Sequence, residues 1–162
     1  MSTAHLHLVV THLPVFGSIL GAFVLGYGLW SKSNSTKIAA YCIFIVSGIG
    51  AVIAYLTGEG AEEAVEKIAG VSENLIKVHE DSAIYALVSL MALGIVSLFA
   101  VVVSYKKSSF IKYTATAVLI VSFISFGLVA RTGYLGGQIR HSEINNAAVQ
   151  TTGAEKAAND DD

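Results

Sequence analysis

Four long stretches of this chain carry no charge. Met1–Ser31, Ile38–Gly58, Ser82–Tyr105 and Tyr113–Ala130 contain no Asp, Glu, Lys or Arg. About 18 or more mostly apolar residues, rising ~1.5 Å each as a helix, cross the ~30 Å hydrocarbon core of a bilayer. Buried helices of soluble domains rarely sustain such runs four times over. Within lipid every backbone N–H and C=O must be bonded internally, so the runs are predicted as helices. The apolar–polar alternation of a membrane barrel strand is missing. Composition agrees: 54% of the 162 residues are hydrophobic and 14% charged, against roughly 25% charged in a soluble domain. The predicted fold class is all-α, a four-helix transmembrane bundle with both termini on one side. Its spans fall at about 8–30, 38–57, 80–105 and 111–132 within a domain of residues 1–144.

The same inventory excludes other classes. The single cysteine, Cys42, cannot support an internal disulfide framework or a Cys-rich zinc or iron–sulfur site. A net charge of −2 leaves no electrostatic footprint for nucleic acid. The first run has neither the positively charged start nor the small-residue cleavage site of a signal peptide, so it reads as a retained span. Tyr27 and Trp30 suit its interfacial end.

Orientation follows from the loops. Lys32, Lys37, Lys106, Lys107 and Lys112 crowd the two short loops on one side, with no acid among them. The opposite side carries all 12 acidic residues, with Lys67, Lys77, Arg131, Arg140 and Lys156 spread over a longer loop and a tail. Short lysine-rich loops mark the cytoplasmic face. The expected setting is the bacterial inner membrane, multi-pass, with both termini periplasmic. In the acidic loop Glu59, Glu63 and Glu66 share one helical face, and Glu63–Lys67 is a favourable pair, which predicts a short acidic helix at 59–69 ended by Gly70. Ser72 reads as the N-cap of the third span. The last span is expected to end in the Gly-rich turn Thr132–Gly137, and the polar segment 145–162 to be disordered.

All five histidines, His5, His7, His12, His79 and His141, belong to the acidic side. Ionisable groups gathered at one end of a small bundle mark a candidate functional site. At ~100° per residue His7 and His12 stand about 140° apart, so a regular helix cannot aim both inward. His12 is nearer the membrane boundary and is taken as the inward residue, with Gly17, Ser18 and Gly21 beyond it. His79 has Ser82, Ala83 and Ala86 on its own face. These small residues leave room for a cofactor, and they equally suit plain close packing of membrane helices. Pro14 either sits in the first turn of its helix or kinks it and frees the carbonyl of Val10. A lone interfacial histidine is also an ordinary solvated residue, as expected for His5 near a chain end, and the acidic face of 59–66 is also an ordinary solvated one.

Several segments carry a resemblance: His-Leu-His-Leu-Val-Val-Thr-His-Leu-Pro-Val at 5–15, Tyr-Leu-Thr-Gly-Glu-Gly-Ala-Glu-Glu at 55–63, His79-Glu80, and Gly-Gly-Gln-Ile-Arg-His-Ser-Glu-Ile at 136–144. Together they resemble a family of small bacterial four-helix membrane proteins of unassigned function, similar to the domain of unknown function catalogued as 2231. Members of that family are sometimes fused to cytochrome c or Rieske-like domains, which implies redox work at the outer membrane face. No Cys-x-x-Cys-His motif is present here, so any haem would be non-covalent, b-type.

Three functions compete. In the first, His12 and His79, with His141 and His7 as further candidates, ligate haem b or a redox metal for electron transfer, and Arg131 or Arg140 pairs with the propionates. In the second, His12, His79 and His141 with Glu63 or Glu80 hold a Zn, Fe, Mn or Cu ion. In the third, the chain is a non-catalytic membrane subunit that docks a periplasmic partner. The expected partners are the lipid bilayer and a periplasmic redox protein or respiratory complex, and the chain reads more as an electron-transfer or binding protein than as a stand-alone enzyme.

Overall fold

The computed structural model describes the backbone of residues 2–66, 71–106 and 110–159, and side chains within these ranges as far as 139. The elements are α1 (Thr3–Val10), α2 (His12–Trp30), α3 (Asn34–Glu66), α4 (Glu73–Tyr105) and α5 (Ile111–Asn159). Among the described residues four stretches are long and apolar enough to cross a membrane: Thr3–Trp30, Asn34–Glu66, Glu73–Tyr105 and Ile111–Ile139. α2 packs on α3 and α5, and α4 packs on the same two, so the order around the bundle follows the order in the chain. With four antiparallel spans, the start of the first and the end of the last lie at the same end.

Many large apolar side chains point outward, and the interior mixes a few large ones, Tyr41, Phe44, Leu25, Leu90 and Leu93, with small and polar residues. Trp30, Phe23, Ile95 and Phe99 are exposed, whereas Ser18, Ser47, Ser97, Ser122 and Ser125 are buried. An apolar belt of this extent is far beyond what a soluble monomer exposes, and the chain is a multi-pass membrane protein. Lipid removes the hydrophobic drive between helices, so association rests on close packing and interhelical hydrogen bonds. Buried positions recur at alternating spacings of four and three along α4, at Ala86, Leu90, Leu93, Ser97, Ala100 and Ser104, the period of left-handed bundle packing. α3 and α4 come closest at two glycines: a Cβ on Gly48 would stand 3.1 Å from the carbonyl oxygen of Leu90 and 3.6 Å from the Cα of Gly94.

Several boundaries differ from those expected. The first span is two helices meeting at Thr11, with Pro14 buried in the first turn of α2, where its missing N–H costs least. No separate acidic helix forms, because residues 59–66 are the last two turns of α3; Lys67 and Gly70 lie outside the described residues. Ser72 does sit in extended conformation at the N-cap of α4, but its side chain makes no capping bond. α5 does not break at Thr132–Gly137; its helix bounds run on to Asn159, through most of the segment expected to be disordered. The glycines of that stretch lower helix propensity by ~1 kcal/mol each, yet Gly136 packs on His79 and Ile139 is buried, and these contacts hold the helix there. At the opposite end Lys32 closes α2 in the left-handed region, φ 56°, a conformation usually given to glycine.

Candidate functional site

Two imidazoles enter the bundle at the acidic end. His7 belongs to α1 and its Nδ1 lies 2.8 Å from the carbonyl oxygen of Ala54 on α3, with the Thr57 hydroxyl at 3.4 Å. His79 belongs to α4 and its Nδ1 lies 3.0 Å from the carbonyl oxygen of Thr132 on α5. A carbonyl only accepts, so Nδ1 carries a proton in both rings, and in the neutral form of the ring Nε2 would hold the lone pair. Both pack against glycine: a Cβ on Gly58 would lie 3.8 Å from Cε1 of His7, and one on Gly136 3.2 Å from Cε1 of His79. Beneath His79, Ser82 and Thr132 share a hydroxyl–hydroxyl bond of 2.8 Å.

His12 does not join them. It is exposed, its Nδ1 donates to the carbonyl of Leu8 at 2.7 Å, and its ring stacks on Phe16 at 6.0 Å between centroids. It stands at the rim of an apolar groove of about 660 Å³ between α2 and α3, walled by Leu13, Phe16, Leu20, Cys42 and Val46. The expectation that His12 faces inward is therefore corrected. The buried face of α2 holds Pro14, Ser18, Gly21, Leu25 and Gly28, and at ~100° per residue His12 is about 180° from Gly21. His7 is seven residues before Pro14 and falls on the buried stripe, so the signal for it was the stripe itself carried back through the proline.

The other candidates are dispersed. Arg131 is exposed beside Thr132, and Glu63 and Glu80 are exposed. Glu80 meets Glu62, not Glu63, across the α3–α4 junction, with Glu59 and Glu66 also acting on Glu62. His5 is exposed, and its backbone N–H is capped by Ser2 Oγ at 3.3 Å. The side chains of Arg140 and His141 lie outside the described residues. Among the described residues no three His, Cys, Asp or Glu side chains gather as a metal site, so the set drawn from His12, His79, Glu63 and Glu80 is not assembled. At the lysine end sequence reasoning missed a second interior polar group, formed by Asn34, Tyr41 and Ser104.

The fold and its polar interior define the class, an integral membrane protein built as a four-helix bundle. No family model, curated protein or solved structure matches the chain.

Proposed function

We propose that this protein binds haem b at its histidine end; His7 and His79 would hold the group, which would supply one-electron transfer. One observation carries the reading. Each inward imidazole donates Nδ1–H to a main-chain carbonyl of a neighbouring helix, which fixes the ring and, in its neutral form, leaves the Nε2 lone pair for a metal. The donor set favours haem over a bare ion. A structural metal site draws on three or four protein ligands, whereas haem iron brings its macrocycle and asks the protein only for axial ligands. Two imidazoles on different helices, each edged by glycine, match that demand. Arg131 stands on α5 next to the residue that orients His79 and is the candidate partner for a propionate. The lysine-rich loops are assigned to the cytoplasm, which puts the histidines at the periplasmic face, within reach of a soluble redox partner or a respiratory complex.

A second reading has its own support. The same Nδ1 bonds tie α1 to α3 and α4 to α5, so the pair also acts as two interhelical staples of a non-catalytic subunit. A visible spectrum and metal analysis of the purified protein in mild detergent separate the two. A Soret band, present as isolated or after reconstitution with haemin, is expected. A colourless protein with stoichiometric metal overturns haem in favour of an ion site, and a colourless, metal-free protein that refuses haemin leaves the staple. Orientation is checked with a reporter after Asp162: activity only in the cytoplasm reverses the assigned compartment.

A further inference from the structure

The lysine end of the bundle contains a second interior polar group with an unusual feature. Tyr41 is 0% exposed and Ser104 2%. The hydroxyls of both, and Oδ1 of Asn34, are buried and have no hydrogen-bond partner among the described residues. The three converge on one place. Asn34 Nδ2 donates to the backbone carbonyl of Ser104 at 3.3 Å, which turns its Oδ1 to the interior. Tyr41 Oη faces Ser104 Oγ without meeting bond geometry. A long side chain on a helix leans toward the helix N-terminus, which brings the Tyr41 hydroxyl from its place two turns along α3 back toward Asn34.

An unpaired buried hydroxyl or amide oxygen costs about 1–3 kcal/mol, and native proteins leave few of them. Two neighbouring hydroxyls that fall short of bonding call for a bridge. The bridging group must donate, because Asn34 Oδ1 only accepts, and it must also be able to accept from a hydroxyl. It must be small, because Phe44 and Leu25 are fully buried close by in the core. A metal cation is disfavoured by Lys37, which is buried between Asn34 and Tyr41 on the same face of α3. An anion is disfavoured by the inward amide oxygen. We propose that Asn34, Tyr41 and Ser104 form a binding site for an internal water molecule that joins α3 to α4 at the end of the bundle away from the histidines. Water supplies the two donors and two acceptors the three oxygens need, and a buried water makes about three such bonds.

Hydroxyl-radical footprinting of the intact protein in detergent tests this, because radicals form from the bound water itself. Tyr41 and Phe44 are equally buried, at 0% exposure, and one turn apart on α3. Tyr41 is expected to be modified about five-fold or more faster than Phe44, since only Tyr41 touches an internal water. Equal rates overturn the site. Ser104→Ala, a mild change of volume, is expected to slow modification of Tyr41; an unchanged or faster rate means that bulk water reaches the ring, and overturns it as well. Replacing chloride with gluconate is expected to leave the rate as it was, and a change assigns the place to an anion instead.

Discussion

Gly48→Ile is expected to destabilise the bundle by about 3 kcal/mol or more, the upper range for overpacking. The new Cβ would stand 3.1 Å from a main-chain carbonyl on α4, and the Cα of Gly94 lies 3.6 Å away. Neither is the tip of a flexible side chain, so the helices themselves must separate. Separation withdraws Phe44, Leu90 and Leu93 from the tight contact they make now, and in lipid that contact is most of what holds α3 to α4. Gly26→Ala is the paired control, because nothing lies within 4 Å of a Cβ there; it should be neutral or slightly stabilising. Thermal unfolding in a fixed detergent reads both. If Gly48→Ile melts with the wild type, the close approach of α3 and α4 is not what sustains the bundle.

His79→Ala carries the second large effect. Under the haem reading it abolishes the Soret band, and His79→Gly with added imidazole restores it, because a free imidazole can occupy the vacated ligand position. His7→Ala behaves likewise, whereas His12→Ala leaves the band intact, its ring being on the lipid-facing side. Under the staple reading no variant alters a spectrum. His79→Ala then loses only the bond to Thr132 and some packing on Gly136, a cost of about 1 kcal/mol by the scale of interhelical hydrogen bonds in membranes. A His12→Ala variant that loses the band while His7→Ala keeps it would return the site to the outer face of α2.

The spans were legible because charge is so costly within lipid that its absence marks each crossing. Which face of each span turns inward was harder to read. In a soluble helix apolar periodicity reveals the buried face, but here both faces are apolar and only the small residues differ. Those residues single out Ser18 and Gly21 as an interface, and wheel angle carried back from them points to His7, whereas nearness to the membrane boundary points to His12. The approach of Glu62 to Glu80 was not legible for a related reason: spacing fixes the relative angles of residues on a helix and leaves its rotation in the bundle undetermined. The group at Asn34, Tyr41 and Ser104 had no local signature, since it depends on how the start of α3 meets the end of α4.

The joint at Thr11 has a consequence for the order of assembly. Past it, α1 packs mainly on α3 and hardly on α2, its neighbour in sequence. The acceptor for His7 is 47 residues further along the chain, and Thr3 packs against Gly60. When the ribosome delivers α1, the surface on α3 that will receive it has not yet been made. His7 therefore reaches its position only after the crossing made by α3 is complete.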